Sequence, residues 1–350
     1  GVTRLSAGTT RLPRALAQRL PVRIRRHPIG LYRWLERQAQ NWVVSTGQMN
    51  GWQAMLERRL EDAEMPASGW RAVCVGPAPK IWPGVTVSIV TFNSARWLPG
   101  LLESLLAQDY PLGHLSLVFV DNGSQDDTLA RLEAFQKRHS AAFARVVLHQ
   151  LDNPGFGAAH NHAVAQTNDD WVLIANPDLE FAPETLPRVV RMALADRAEV
   201  VSWELRQAPY EHPKHYDPVS WETLWSSHAC ILLRRSAFTA LGGYDERLFL
   251  YGEDVEFSFR CRETGYRLRY CPLAQVHHYT YAEANELKPT QYLGSTRANL
   301  FLRLRYGTAR DAAAALLLAG TSLLRRPCPG ARRRRLVAFY RLLWQAPGLW

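Results

Sequence analysis

The 350-residue sequence is poor in cysteine and has no long uninterrupted hydrophobic run. Its five cysteines are odd in number, include no Cys-x-x-Cys pair and lie at positions 74, 230, 261, 271 and 328. This pattern argues against a structural zinc site or a disulfide framework and favours a reducing compartment. The longest apolar run, 312–324, contains a Gly-Thr-Ser segment and is too short for a membrane span.

Acidic residues are scarce at both ends of the chain. Residues 1–40 and 297–350 together hold twenty arginines and two acids, whereas the segment between them holds 22 basic and 30 acidic residues. The overall charge of +10 therefore comes from the two ends. Because the middle is mildly acidic, we expect no nucleic-acid partner, and a nucleic-acid binder is a poorly supported rival.

Two nucleotide-binding signatures are also missing. No Gly-x-Gly-x-x-Gly follows the first predicted strand and no Gly-Lys-Ser/Thr loop is present, which disfavours a dinucleotide enzyme and a P-loop NTPase. What the sequence does contain is an alternation of apolar strands, at 85–91, 115–120, 146–149 and 171–174, with helical segments. This alternation predicts an α/β fold with a mostly parallel sheet and covering helices.

Composition divides the chain into three predicted parts. Residues 1–84 are predicted to be a helical N-terminal extension and linker, with a partner subunit or domain docking through residues 1–80. Residues 85–296 are predicted to be the α/β domain. Residues 297–350 are predicted to be a basic, amphipathic helical segment that binds the anionic inner membrane surface, although a solvated basic face is the alternative.

One turn stands at the end of the most apolar strand. The strand 171–174 is followed by Asn176-Pro177-Asp178. Pro177 cannot donate a ladder hydrogen bond, so the strand ends there and presents one carboxylate. In open α/β sheets ligands bind beyond the carboxyl ends of the strands. A solvated turn aspartate is the alternative reading of Asp178.

Several short motifs follow one another in a distinctive order. Together they resemble the family-2 inverting glycosyltransferases of the GT-A fold, in the form seen in bacterial rhamnosyltransferases: Val87–Asn93, Val120–Ser124 with Asp127-Thr128, Asn153–Asn161, Asn176–Asp178, Gly243–Val255 and Pro272–His278. The resemblance covers about residues 85–280. In one departure, Asn176 replaces the first acid of the usual Asp-x-Asp, so a metal ion at this turn needs another protein ligand.

The resemblance implies a donor and an acceptor. The donor is a nucleotide-diphosphate sugar, with dTDP-rhamnose as the first expectation. The acceptor is a hydroxyl of a bacterial surface glycan or a polyprenyl-linked acceptor. UDP-hexose or UDP-galactofuranose transfer is a rival, and so is a non-catalytic sugar-nucleotide-binding assembly module. Residues expected to contact the donor are Thr91, Asn93, Asp121, Asn153, Gly155, Gly157, Asn161, Asn176 and Asp178. For Asp121 and Asn161, turn formation and helix packing are alternatives.

A divalent cation, Mn²⁺ or Mg²⁺, is expected to neutralise the diphosphate. Asp178 is its first expected ligand and His278 its second, because strand alternation puts Ala274, Val276 and His278 on one face. His277 then faces the other way. A nitrogen ligand favours Mn²⁺ over Mg²⁺.

The acceptor hydroxyl must lose a proton, and the resemblance selects Asp254 as the general base, with Glu253 beside it at a predicted helix start. A base opposite the leaving group implies direct displacement and inversion. Arg260 is expected to form a structural salt bridge, and a contact with the donor phosphate is the less favoured alternative. Trp221, Trp225 and His228 form either an acceptor wall or an apolar cover. The protein is expected to be cytoplasmic, peripheral at the inner face of the cytoplasmic membrane.

Overall fold

The computed structural model describes residues 69–209, 211, 216–217, 220–279 and 289–324. The chain divides into two compact units, one of residues 49–298 and one that combines residues 1–48 with 299–350. Of the predicted N-terminal extension, helix α1 (Gly69–Val75) is described. The helices predicted before it, and the basic residues after 324, lie outside the described residues.

The first half of the sheet is parallel. Its strands are β1 (Val85–Thr91), β2 (Leu115–Asp121), β3 (Arg145–Gln150) and β4 (Trp171–Ala175), in the spatial order β3-β2-β1-β4. The covering helices are α2 (Leu98–Leu106), α3 (Thr128–His139) and α4 (Phe156–Ala165). All carboxyl ends of these strands therefore meet at one edge, as the sequence predicted.

The second half of the sheet is mixed. Its strands are β5 (Leu179–Phe181), β6 (Val200–Ala208), β7 (Glu222–Thr223), β8 (Cys230–Arg234) and β9 (Arg267–His278). Strand β8 runs antiparallel to both β4 and β6, β6 is parallel to β9, and β5 and β7 pair antiparallel with β9. The remaining helices are α5 (Thr185–Ala195), α6 (Arg235–Ala240), α7 (Glu253–Glu263), α8 (Pro289–Tyr306) and α9 (Ala309–Leu324).

The central strands are covered on both faces. Every residue of β1, β2 and β4 is buried, which explains why these segments are continuous apolar runs and not alternating ones. One face of β1 packs into the large core cluster through Val85, Val87 and Ile89. Val90 on the other face packs against Ala159 of α4. The small residues of α4 therefore allow this helix to lie close against the sheet.

The sheet with its covering helices confirms the predicted α/β class. None of the helices in the described ranges is both long and apolar enough to cross a bilayer.

Candidate active site

The loop after β2 is held by Asp121. Thr91 Oγ1 donates a hydrogen bond to Asp121 Oδ1 (2.9 Å), and the Ser124 backbone N–H donates to Asp121 Oδ2 (3.0 Å). Only 2% of Asp121 is exposed. The carboxylate therefore ties the ends of β1 and β2 together and closes an Asx-type turn. This turn-forming role is compatible with the predicted contact to the donor.

Asn93 joins the same two loops. Its backbone N–H donates to Ser124 Oγ (2.8 Å), and its Oδ1 accepts from the Gln125 N–H (2.8 Å). The residue adopts a positive φ of 50°, which asparagine tolerates better than most side chains. Beside it, the Phe92 ring is 52% exposed. The carboxyl ends of β1 and β2 thus form one rigid surface with an exposed aromatic ring.

The glycine-containing segment 153–157 lies against a second loop, residues 244–252. A Cβ on Gly155, where φ is +110°, would lie 2.6 Å from the Phe249 carbonyl oxygen, so glycine is required there. A Cβ on Gly157 would lie 2.9 Å from Tyr244 Cβ. Asn153 itself has a positive φ of 49°. In the structure, these glycines allow the 153–157 segment to pack closely against the 244–252 loop.

Asn161 and Arg260 fix that second loop. Asn161 Nδ2 donates to the Tyr244 carbonyl (2.9 Å), and its Oδ1 accepts from the Tyr244 N–H (2.8 Å). Arg260 forms a bidentate pair with the buried Glu256, with Nε 2.9 Å from both carboxylate oxygens, and donates to the Gly243 carbonyl (2.6 Å). The structural ion pair expected for Arg260 is therefore present. Asn161 has the packing role given as its alternative.

Asp178 and His278 come together at the end of β4 and β9. His278 Nε2 lies 3.4 Å from Asp178 Oδ1, and the side chains are 8% and 17% exposed. Asn176 donates its backbone N–H to the Ala229 carbonyl (2.8 Å), which places the turn against β8. The partnership predicted across about 100 residues is thus a contact in the structure.

The imidazole of His278 is oriented by Gln207. Gln207 Nε2 donates a hydrogen bond to Ser227 Oγ (3.2 Å). Its amide oxygen therefore faces His278 Nδ1 at 2.7 Å and accepts a hydrogen bond from the N–H of the ring. In its neutral form the ring then carries its lone pair on Nε2, which faces the Asp178 carboxylate. A lone pair facing a carboxylate oxygen attracts a cation, and a ligand histidine usually donates its other N–H in this way.

The two side chains fit a divalent cation. Among the residues whose placement is described, no group of three or more His, Cys, Asp or Glu side chains is arranged to hold a metal ion. A cation at Asp178 and His278 would therefore complete its coordination with diphosphate oxygens and water, as Mg²⁺ and Mn²⁺ do in nucleotide sites. His277 points to the opposite, exposed face, where its ring contacts Tyr279 at 4.3 Å.

Two adjacent carboxyl groups begin α7 in different environments. Asp254 is half-buried, and its Oδ1 accepts the Val255 N–H (2.8 Å). Glu253 is 5% exposed, and its Oε2 has no hydrogen-bond partner among the described residues. Burial, and then the neighbouring Asp254 charge, raise the pKa of Glu253 to about 8. Glu253 therefore keeps its proton to a higher pH than an ordinary glutamate, and Asp254 is the more exposed carboxyl group of the two.

Replacing Glu253 with Gln is expected to stabilise the protein at pH 8 but not at pH 4. The folded state keeps a proton on Glu253 up to about pH 8, whereas the unfolded chain loses it near pH 4.5. Stability therefore falls as pH rises between these values, because the folded state holds a proton that the unfolded chain has already released. Urea unfolding at both pH values measures the difference, which we expect to reach a few kcal/mol.

The exposed Glu263 at the other end of α7 provides the matched control. Glu263→Gln should leave the pH dependence of unfolding as in the parent protein. Equal pH slopes for the parent and Glu253→Gln would show that Glu253 is ionised in the folded protein.

The residues expected as an acceptor wall are mostly packing residues. Trp221, 4% exposed, belongs to the core and packs edge-on against Tyr270 at 5.9 Å. His228 is buried, and its Nδ1 is hydrogen-bonded to the Tyr244 hydroxyl. Trp225 is half-buried. For Trp221 and His228 the structure corresponds to the apolar-cover alternative, because neither presents an exposed face to an acceptor.

Sequence reasoning missed Gln207 and Phe249. Gln207 lies 71 residues before His278 on a different strand, and no local pattern marks it. Phe249 lies within the motif that ends in Asp254, and its side chain is 45% exposed. It stands in the apolar run 248–251, so the sequence alone does not mark it as exposed.

Comparisons with known sequences find similarity to glycosyltransferases. Residues 86–251 match the family described as "Glycosyl transferase family 2". The chain is 28% identical over 264 residues to the N-acetylglucosaminyl-diphospho-decaprenol L-rhamnosyltransferase of Mycobacterium tuberculosis, over 62% of this chain and 83% of that protein. It is 34% identical over 181 residues, half of each chain, to the undecaprenyl-phosphate 4-deoxy-4-formamido-L-arabinose transferase of Pseudomonas syringae pv. syringae.

Solved structures agree on the fold. The mannosyltransferase PcManGT from Pyrobaculum calidifontis, in complex with GDP-Man and Mn²⁺, superposes with a TM-score of 0.55 at 17% identity, over 89% of this chain and 92% of that one. GalNAc-T7 with UDP, GalNAc and Mn²⁺ superposes with a TM-score of 0.52 at 13% identity, over 69% and 55% of the two chains. At these identities the comparison establishes the GT-A architecture.

Proposed function

Because the chain carries a glycosyl transferase family 2 domain at residues 86–251, we propose that it is a metal-dependent, inverting rhamnosyltransferase. Its donor is dTDP-rhamnose, and its acceptor is a hydroxyl of a bacterial surface glycan or of a polyprenyl-linked sugar. The glycosyltransferase class follows from the family. The sugar, the nucleotide, the metal and the acceptor are the parts that we propose.

The pairing of Asp178 with His278 is the observation that carries the metal-dependent mechanism. Gln207 holds the imidazole with Nε2 towards the carboxylate, and the contact distance of 3.4 Å is too long for a strong direct hydrogen bond. When bound there, a divalent cation supplies positive charge to the diphosphate leaving group. A nitrogen ligand beside a carboxylate favours Mn²⁺ over Mg²⁺.

Asp254 is proposed to take the proton from the acceptor hydroxyl. Its carboxyl group is half-buried, whereas Glu253 beside it is fully buried and has a raised pKa, so Asp254 is the better placed of the two to act as a base. A single base acting on the face opposite the leaving group gives one displacement and inverts the anomeric carbon. Asp121 and Asn93 hold the loop surface on which the nucleotide would lie.

The names of the two relatives support the sugar and the acceptor class. The M. tuberculosis relative is named for L-rhamnose transfer to a decaprenyl-linked sugar, and the P. syringae relative for transfer of a modified arabinose to undecaprenyl phosphate. Both names combine a deoxygenated or modified sugar with a polyprenyl acceptor. A polyprenyl acceptor requires the enzyme to work at a membrane surface.

Membrane attachment is proposed through the basic segment 297–350, at the inner face of the cytoplasmic membrane. Arginines alternate there with apolar and aromatic residues, a composition suited to an anionic bilayer. Co-sedimentation with vesicles that contain phosphatidylglycerol tests the attachment. Removal of residues 325–350 should release the protein, and equal sedimentation of both forms would contradict this role.

A thermal-shift panel of nucleotide sugars, with Mn²⁺ or with EDTA, tests the proposed donor. We expect dTDP-rhamnose with Mn²⁺ to raise the Tm more than UDP-glucose, UDP-galactofuranose or dTDP-glucose, because at equal concentration the ligand that binds the folded state most tightly stabilises it most. EDTA should abolish most of the shift. A larger Tm shift with a UDP-sugar would make that sugar nucleotide the donor in place of dTDP-rhamnose. A Tm shift unaffected by EDTA would contradict the metal site.

A further inference from the structure

One exposed aromatic ring lies on the loop that leads into α7. Phe249 is 45% exposed, whereas the residues first considered for the acceptor wall, Trp221 and His228, are buried. An isolated exposed ring is ordinary on a protein surface. Phe249 is unusual because its backbone is held tightly on two sides, so the exposure of its ring does not come from a loose loop.

The backbone of Phe249 is fixed against the 153–157 segment. Its carbonyl accepts the Phe156 N–H at 2.8 Å. The same carbonyl would lie 2.6 Å from a Cβ on Gly155, so any side chain at that position would push the loop away. Glycine at position 155 therefore permits a close contact that fixes the position of the Phe249 backbone.

Helix α8 holds the other side of the loop. A Cβ on Gly294 would lie 2.6 Å from the Leu250 carbonyl, and a Cβ on Gly252 would lie 2.2 Å from Ala298 Cβ. Between these contacts, Tyr251 adopts a positive φ of 71°. Such a conformation costs about 1–3 kcal/mol in a non-glycine residue and persists where the surroundings impose it, often at functional sites.

Phe249 and Glu253, the neighbour of the proposed base, both lie against the start of α4. Phe249 contacts Gly155, and Glu253 Cβ would lie 3.8 Å from a Cβ on Gly157. Gly155 and Gly157 are two residues apart, so their Cα atoms are separated by at most about 7.6 Å. Asp254 follows Glu253 directly. Phe249 and the residue that precedes Asp254 therefore pack against the same short segment, 155–157.

We propose that Phe249 is a specificity-determining residue, on whose ring the acceptor sugar stacks while its hydroxyl faces Asp254. The C–H face of a pyranose is weakly positive, and the face of an aromatic ring is negative and apolar, so the two surfaces attract each other and exclude water. This inference rests on the proposed glycosyltransferase reaction and identifies the side of the cleft that takes the acceptor.

Two substitutions separate stacking from simple apolar contact. Phe249→Tyr keeps the ring, and Phe249→Leu keeps an apolar side chain without a ring. With an N-acetylglucosaminyl diphosphate that carries a short alkyl chain as the acceptor probe, we expect Phe249→Leu to raise the acceptor KM about tenfold. The Tyr variant should stay within about twofold of the parent. The KM of dTDP-rhamnose should be unchanged in both.

Leu194, a similarly exposed apolar residue at the end of α5, provides the control. Leu194→Ala should change neither KM. Equal acceptor KM values in the parent, Tyr and Leu variants would overturn the proposal. A rise in the KM of dTDP-rhamnose as well would also overturn it, because the ring would then serve the donor or the fold.

A binding measurement keeps this inference separate from the proposed reaction. Saturation-transfer NMR with Mg²⁺ reports which acceptor protons contact the protein, whether or not transfer occurs. We expect saturation of the pyranose C–H protons in the parent and the Tyr variant and its loss in the Leu variant. Equal saturation in all three overturns the stacking even if transfer is observed. Absence of transfer with the expected saturation pattern overturns the proposed reaction alone.

Discussion

Asp254→Asn is expected to lower kcat by about 10²–10⁴-fold while donor affinity stays within about twofold. An amide cannot accept the proton of the attacking hydroxyl. The amide oxygen can still accept the Val255 N–H that Asp254 Oδ1 accepts at 2.8 Å, so the start of α7 should be preserved. Transfer of radiolabelled sugar measures kcat, and calorimetric titration with the donor measures affinity.

Glu263→Gln at the end of the same helix is the matched control, and its kcat should equal that of the parent. A kcat for Asp254→Asn within tenfold of the parent would exclude Asp254 as the base. A large loss of donor affinity would instead indicate that Asp254 contacts the donor. In either case the assignment of the two carboxyl groups of α7 would have to be revised.

Removing either side chain of the proposed metal pair is expected to abolish the effect of Mn²⁺ on donor affinity. Asp178→Ala and His278→Ala each remove half of a two-residue site, and loss of a ligand leaves the diphosphate charge without compensation. Gln207→Leu removes the acceptor that orients the imidazole, and such substitutions typically weaken metal binding about 10–100-fold. Calorimetric titration of Mn²⁺ in the presence of dTDP measures each effect.

His277→Ala is the control for these substitutions, because the neighbouring ring points to the exposed face of β9. It should bind Mn²⁺ and the donor as the parent does. If His278→Ala binds Mn²⁺ normally and His277→Ala does not, the two histidines exchange roles. If neither substitution changes Mn²⁺ binding, the site lies elsewhere.

The parallel half of the sheet was predictable because its strands are buried on both faces. Strands β1 and β4 are continuous apolar runs bounded by polar turns, and the predicted limits of β1 agree with the structure. Strand β9 was predictable for a different reason. Its last residues alternate between buried and exposed positions, so period-two reasoning placed His278 and His277 on opposite faces.

The mixed half was not predictable in the same way. The insertion of β8 between β4 and β6 brings Ser227 and Gln207 beneath His278, and this arrangement depends on contacts between residues far apart in sequence. The residue type of Trp221 is compatible with an acceptor wall or with a buried cover. Its burial against Tyr270 is a tertiary result that no local pattern contains.

The glycines of the 153–157 segment show a third limit of prediction from the sequence. A sequence identifies positions where glycine allows a close approach, but it does not identify what approaches. The structure places the Phe249 carbonyl against Gly155 and Tyr244 against Gly157. These contacts explain how the loop that leads to Asp254 is fixed and why Phe249 lies beside Gly155.

The anomeric configuration of the transferred sugar tests the central claim most directly. The product of the parent protein with dTDP-rhamnose, Mn²⁺ and an N-acetylglucosaminyl diphosphate acceptor would be analysed by NMR through the one-bond carbon–proton coupling at the new linkage. Proton abstraction by Asp254 with a single displacement predicts a rhamnoside of configuration opposite to that of the donor. A product with the donor's configuration, or no transfer to this acceptor class, would contradict the account.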